Sequence, residues 1–312
     1  MASFATEVKD ELARLIYDNS CCRASELAAL LRMGGQVIAG TQREPGITFT
    51  AGNAAVARKV LTLVKREMAD IPTEVMVRRG KKLRKRNSYI IRIAPSPQAG
   101  NLFSRLGILR GEDLTLGTDM AKLRRSCCRA AYLRGAFLGG GSVNRPEANY
   151  HLELVTEDHS LAEVLLTLLR RMDFPAGMTE RKDGYVVYMK EGDGVIDFLG
   201  MLQADKAVEK FEVARNLKEV RNQVNRLVNC ETANLQKAVD AAWRQIEDIR
   251  LLMGEGRMQE LSLDLRETAK ARLANPEASL AELSEILCIS KSGLSHRLRK
   301  IGGIAAGLRG EG

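Results

Sequence analysis

Near the C-terminus, Lys291, Ser292, Ser295, His296, Arg299 and Lys300 form three neighbouring pairs set four residues apart. On a helix that spacing gathers them along one face. Cations, hydroxyls and an imidazole in such a row can meet phosphate oxygens and base edges. Ser290 stands just before them, where its hydroxyl can cap the helix and join the first backbone amides in meeting a phosphate. Upstream, Ser279 with Glu282 three residues on reads as a capping box for a helix carrying Leu280, Leu283, Ile286 and Leu287. A tight Cys288-Ile289-Ser290 turn then leads into the helix Lys291 to Ile301. Leu283, Leu287, Ile289, Leu294 and Leu298 supply an interior. Two helices across so short a turn read as a helix-turn-helix, whose second helix lies in the major groove of duplex DNA. A small three-helix interaction domain is the alternative.

Two further groups carry polar chemistry. Between strand-like segments Glu74 to Val77 and Ser88 to Ile93, seven of nine residues are basic: Arg78, Arg79, Lys81, Lys82, Arg84, Lys85 and Arg86. A loop tip so charged suits phosphate contact, against the plainer alternative of a solvated loop. Along Lys206 to Met253, a long helical stretch places Val220, Val224, Leu227 and Val228 on one face and crowds Arg221, Asn222, Asn225, Arg226 and Asn229 on the others. Asparagine is a mediocre helix former, so its density suggests amides used for hydrogen bonds to nucleic acid or another domain. A solvated connector is the alternative.

The six cysteines fall as two vicinal pairs, Cys21-Cys22 and Cys127-Cys128, with Cys230 and Cys288 alone. No C-x-x-C spacing occurs, and His151, His159 and His296 stand at no ligand-like distance from them. Buried reduced thiols are the plain expectation, and a metal or redox site shared by the two pairs is the sharper one; spacing alone assigns neither a metal nor a cofactor. The 312 residues are 45% apolar with a net charge of +9, enough chain for two domains and a balance that favours phosphate-bearing partners. The opening residues read as an amphipathic helix, Ser3 to Leu15, rather than a signal peptide, and no apolar run is long enough for a membrane span. The expected location is cytoplasmic, and nucleoid-associated if DNA is the partner.

The elements that position these groups come from a duplication. Ser20-Cys21-Cys22-Arg23-Ala24 recurs as Ser126-Cys127-Cys128-Arg129-Ala130, and Gly35 recurs as Gly141 at the same offset. Leu61 to Arg66 (L-T-L-V-K-R) stands against Leu166 to Arg171 (L-T-L-L-R-R), and Tyr89-Ile90-Ile91 against Tyr185-Val186-Val187. Each copy reads helix–strand–strand–helix–strand–strand–helix, over about residues 20–110 and 126–203. The short helix closing the first copy is expected from Asn101 to Leu109, with Pro95 and Pro97 as breakers.

Leu133-Arg134-Gly135-Ala136-Phe137-Leu138-Gly139-Gly140-Gly141 resembles the L-A-G-L-I-D-A-D-G helix of homing endonucleases, and Leu27 to Gly35 is the matching first copy. That resemblance implies two αββαββα units whose motif helices pack along a pseudo-two-fold axis beneath a saddle of sheet. In those nucleases the penultimate motif position is an acidic residue holding the catalytic divalent metal. Here Gly34 and Gly140 stand there, so the resemblance implies an enzyme fold without its activity. Together with the string R-N-x-x-N-R-x-x-N-C-E-x-x-N from Arg221 to Asn234 and the C-terminal helix-turn-helix, the chain resembles the WhiA family along nearly its whole length.

The expected architecture is therefore α+β: a duplicated LAGLIDADG-like domain over 1–203, a helical linker over 204–255, and an all-α helix-turn-helix domain over 256–312. The resemblance implies a non-catalytic DNA-binding regulator of sporulation genes, or of cell division and chromosome segregation. Double-stranded DNA is the expected partner, with a regulatory protein docking on the LAGLIDADG-like domain as a second. A residual divalent-metal endonuclease and an RNA-binding, maturase-like protein are the alternatives.

Overall fold

The computed structural model describes residues 3–41, 43–80, 87–110, 115–182 and 184–310. It divides into two compact units, to Leu217 and from Lys218.

The first unit opens with α1 (Phe4–Ala13), capped by Ser3, whose hydroxyl accepts from the Thr6 amide. The first copy follows as α2 (Ser20–Gly34), β1 (Gly35–Ala39), β2 (Pro45–Ala51), α3 (Ala54–Glu67), β3 (Thr73–Arg78), β4 (Ser88–Ile93) and α4 (Pro97–Leu106). A short ribbon of β5 (Leu109–Arg110) and β6 (Thr115–Leu116) leads to the second copy. This comprises α5 (Ser126–Gly140), β7 (Gly141–Val143), β8 (Leu152–Thr156), α6 (His159–Arg170), β9 (Gly177–Arg181), β10 (Gly184–Met189) and α7 (Gly192–Met201). Each copy builds an antiparallel four-stranded sheet of the same order, β1-β2-β4-β3 and β7-β8-β10-β9.

Equivalent caps start equivalent helices. Asn53 accepts from the amides of Ala55 and Val56 to begin α3, and Asp158 from those of Ser160 and Leu161 to begin α6. The first copy's last helix starts earlier than its prolines suggest. Ser96 caps it and Pro97 occupies its first turn, where a missing N–H costs nothing. Its C-terminus closes on Gly107 at φ 70°, the left-handed region that glycine enters freely.

Both copies share one core. Leu27, Leu30 and Leu31 of α2 and Leu133, Phe137 and Leu138 of α5 are buried in it, together with Phe49 and Ile91 of the first sheet and Leu154 and Val187 of the second. The central seam is the packing of α2 on α5, and small residues make it close. A Cβ on Gly135 would fall 2.3 Å from the Glu26 carbonyl oxygen and 2.9 Å from Ala29 Cβ; one on Gly139 would fall 2.5 Å from Met33 Cβ.

Ion pairs join the copies in both directions. Arg134 of α5 lies 3.5 Å from the fully buried Glu26 of α2, which Lys59 of α3 approaches at 3.2 Å. Arg32 of α2 binds Asp158 of the second copy at 2.8 Å and also donates to the Leu116 carbonyl. Burial pushes the Glu26 carboxyl above its usual range against the pull of Lys59 and Arg134. Half-buried Asp158 is held below the usual carboxylate range by its Ser160 hydrogen bond and by Arg32, which together outweigh its partial loss of water.

Helix α8 (Asp205–Gly254) contributes its first turns to this unit through Ala207, Phe211 and Ala214. Its last turns belong to the second unit's core. Ile249 and Leu252 pack there with Leu261, Leu265, Ala269, Ile301 and Ala305, so the end of α8 is more than a connector. The second unit continues with α9 (Leu263–Ala274), α10 (Leu280–Ile286) and α11 (Lys291–Arg309). Among the described residues, no helix is long and apolar enough to cross a membrane.

Candidate nucleic-acid interface

The turn between α10 and α11 fixes how α11 is presented. Ser279 and Glu282 form the reciprocal capping box at the start of α10. The hydrogen bonds from Ser279 to Glu282 hold that carboxyl below its usual range. At the other end, the Ile289 amide reaches back to the Ser284 carbonyl and the Cys288 amide to that of Glu285, the pairing of a Schellman cap. Cys288 takes the left-handed position at φ 51° that glycine usually fills. Two residues later Ser290 caps α11 by accepting from the Gly293 amide at 3.1 Å.

Leu283, Leu294 and Leu298 are buried against Ala271, Ala278, Leu280, Leu287 and Ile289, which is the interior the spacing predicts. The opposite side of α11 faces solvent. Ser290, Lys291, Ser292, His296, Arg299 and Lys300 are exposed and Ser295 is half-buried. The helix N-terminus and this cationic row therefore lie together on one open surface, the arrangement that grips phosphate.

The sheets of the first unit present a different surface. By the pleat alternation, Ile47, Phe49, Ile91 and Ile93 point to the core, so Thr48, Thr50, Ile90, Arg92, Glu74, Met76 and Arg78 share the outer face. Arg92 pairs with Glu74 across the strands at 3.3 Å. On the second sheet, Arg181 lies 3.4 Å and His151 3.3 Å from Glu153, beside the exposed Val155. Much of the charge on these faces is thus matched within the sheet. Arg78 ends β3 exposed and Arg79 follows it exposed. Lys81, Lys82, Arg84, Lys85 and Arg86 of the basic run lie outside the described residues.

At the C-terminal ends of the two motif helices, a side chain on Gly34 would have to displace the buried Phe49 ring and one on Gly140 would strike the Val155 backbone. A Cβ on Gly34 would fall 2.7 Å from the Phe49 ring, and one on Gly140 would fall 2.5 Å from the Val155 carbonyl oxygen and 2.4 Å from the Met33 methyl. Of the carboxylates downstream of Gly140, Asp158 is engaged by Arg32 and Glu153 by Arg181.

The sequence is similar along its length to the "Probable cell division protein WhiA" of Desulforamulus reducens, 47% identical over 98% of this chain and 96% of the relative. The chain belongs to the WhiA family. The protein of the same description from Brevibacillus brevis is 44% identical over 98% of each chain. Within the family's description, the WhiA N-terminal LAGLIDADG-like domain matches residues 20–109, the WhiA LAGLIDADG-like domain 129–221, and the WhiA C-terminal HTH domain 224–305. Full-length DUF199/WhiA from Thermatoga maritima, a crystal structure, superposes with a TM-score of 0.60 at 25% identity, covering 97% of this chain and 98% of that one. The family's HTH match begins inside α8, in agreement with the packing of Ile249 and Leu252 against α9 and α11.

Residues 221–240 of α8 are exposed all round, including Arg221, Asn222, Asn225, Arg226 and Asn229. The apolar face that the spacing predicts, Val220, Val224, Leu227 and Val228, is exposed with them. The vicinal cysteines, to which spacing assigned neither metal nor cofactor, converge instead. The four sulfurs of Cys21, Cys22, Cys127 and Cys128 lie within 4.8 Å of one another.

Proposed function

We propose that this protein is a non-catalytic DNA-binding regulator whose α11 lies in the major groove. The observation that carries the reading is the exposed row of Lys291, Ser292, His296, Arg299 and Lys300, with Ser295 beside it, set on a helix whose N-terminus Ser290 caps. Lys291 and the first amides of α11 meet a phosphate. Ser292, Ser295 and His296 reach base edges or backbone, and Arg299 and Lys300 follow the groove. Arg221, Asn222, Asn225, Arg226 and Asn229 of the exposed α8 surface, with the basic run from Arg78 to Arg86, add nucleic-acid contact. The outer faces of the sheets, where Arg92 meets Glu74 and Arg181 meets Glu153, suit the docking of a partner regulatory protein.

Nuclease activity is not part of this reading. Gly34 and Gly140 occupy the positions where homing endonucleases hold their metal. Neither carries a side-chain oxygen, an added side chain would press on the Phe49 ring or the Val155 backbone, and Asp158 is already a helix cap and an ion-pair partner. The relatives are described as cell division proteins, so the proposed regulation bears on cell division and chromosome segregation, and on sporulation genes in organisms that sporulate.

Binding of the full chain to genomic duplex fragments, measured against salt, tests the proposal. Lys291→Ala and Arg299→Ala each weaken binding and lower the salt slope by about one. Unchanged affinity in both variants removes α11 from the interface. Mg²⁺-dependent cleavage of the same fragments would restore the endonuclease reading, and preference for structured RNA over duplex DNA would favour the maturase-like one.

A further inference from the structure

We propose that Cys21, Cys22, Cys127 and Cys128 form a tetrathiolate site for a single zinc ion, fastening the N-terminal ends of the two motif helices to each other. All four sulfurs lie within 4.8 Å of one another, and the vicinal Cys21 and Cys22 sulfurs are 4.0 Å apart. Zinc holds thiolate sulfurs at about 2.3 Å in a tetrahedron, which sets sulfur–sulfur edges of about 3.8 Å. Small side-chain rotations close the remaining gap. An iron–sulfur cluster spreads its cysteine sulfurs over several iron atoms and needs them further apart, so the spacing favours a mononuclear ion.

The surroundings suit the charge of such a site. Both pairs lie in the first turn of a helix, Cys21-Cys22 in α2 after its cap Asn19 and Cys127-Cys128 in α5 after its cap Arg125. The two helices run in the same direction along their seam, since Gly135 meets Glu26 and, further along both, Gly139 meets Met33. Their positive ends therefore converge on the sulfurs and oppose the burial that pushes the metal-free Cys22 and Cys128 thiols up to about 12 and about 11. Arg23, Arg124, Arg125 and Arg129 flank the pairs in the chain, and Arg125 stands close enough to act on the Cys21 sulfur and offset part of the negative charge of a zinc tetrathiolate.

Burial makes the site closed and still reachable. Cys22 and Cys128 are buried, Cys21 is half-buried and Cys127 is exposed, which leaves one edge for metal entry. With four protein ligands there is no open coordination position for water or substrate, so the ion is structural. Each thiol gives its proton to solvent as it ligates, and binding tightens with rising pH until the sulfurs are all deprotonated. The site lies at the opposite end of the motif helices from Gly34 and Gly140, the positions equivalent to the nuclease metal site.

The test uses the full chain, purified anaerobically with a reductant and stripped of metal, then titrated with Co²⁺ and with Zn²⁺. The expected result is one equivalent of Co²⁺ with sulfur-to-metal charge-transfer absorption and the intense visible bands of a tetrahedral site, displaced by Zn²⁺. Cys21→Ser and Cys127→Ser, the less buried members, should weaken that binding at least tenfold while far-ultraviolet circular dichroism stays parental. The double variant Cys230→Ser/Cys288→Ser should bind as the parent does. Weak octahedral cobalt bands, binding lost only in the Cys230/Cys288 variant, or disulfides among the four cysteines in anaerobically isolated protein would each overturn the proposal.

Discussion

Replacing Gly135 with alanine sets two known effects against each other at one position. Alanine is the better helix former, favouring the variant by about 1 kcal/mol. Against this, the added methyl would sit 2.3 Å from the Glu26 carbonyl oxygen and 2.9 Å from Ala29 Cβ, both on α2. Ordinary carbon contacts lie at about 3.5–4.0 Å, so the helices must part locally by about 1 Å. A gap of that size forfeits roughly half of each contact's well. For about 40 atom pairs along the seam at about 0.15 kcal/mol each, the loss is about 3 kcal/mol. The net expectation is a destabilisation of about 2 kcal/mol, within the usual range for overpacking, and a fall in Tm of about 4–8 °C for a unit of this size. Differential scanning calorimetry of the full chain follows it through the transition of the first unit. Gly303→Ala is the control. That glycine lies inside α11 with open space around its missing Cβ, so alanine there should stabilise by about 0.5–1 kcal/mol. A Gly135→Ala protein at or above the parental Tm would show that propensity outweighs contact, and the account of a tight α2–α5 seam would fail.

Glu26→Ala should be more damaging still, because it leaves Lys59 and Arg134 as buried cations without their carboxylate; a loss of about 3–5 kcal/mol in urea denaturation is expected, and one below about 1 kcal/mol would mean that the network relaxes into water. Burial pulls the Lys9 ammonium from its usual 10.5 down to about 8. Between those values the unfolded chain holds more protons than the folded one, so stability should rise with pH across that window; Lys9→Met should flatten that part of the curve, and an unchanged slope would assign it to other groups. Cys288→Gly removes a side chain from the left-handed position at φ 51° and should leave the second unit as stable or up to about 1 kcal/mol more stable, measured by thermal melts followed at Trp243; a clear destabilisation would show the thiol to be doing structural work in the turn.

The duplication was legible because repeated residue types carry repeated jobs: Asn53 and Asp158 cap matching helices, and the glycines at 34–35 and 140–141 end matching ones. The interior of the helix-turn-helix was legible for the same reason, since period and cap signals are local. Pro97 misled because a proline that breaks a helix interior also suits a first turn, and only the Ser96 cap distinguishes the two. The spacing found the apolar face of α8 but could not say whether anything covers it, because amphipathicity specifies a face and not its neighbour. The Arg32–Asp158 and Arg134–Glu26 pairs join residues more than a hundred positions apart, and nothing local marks them. The cysteines lay between these cases: each pair was visible, and their meeting depended on two helices starting side by side.

The reciprocal ion pairs have a consequence for what either half could do alone. At the offset that aligns the motif helices, Arg134 corresponds to Ala28, Glu26 to Tyr132 and Arg32 to Leu138. Two first copies brought together as a symmetric pair would enclose Glu26 facing an alanine, with Lys59 kept and Arg134 lost. Two second copies would enclose Arg134 facing a tyrosine in place of its acid. The second copy holds one of the two counter-ions of Glu26, and the first copy holds the carboxylate that Arg134 faces, so self-association is disfavoured for both and most strongly for the second. Fragments cut between the copies should assemble preferentially as one-of-each heterodimers, which makes this domain a natural starting point for a split reporter.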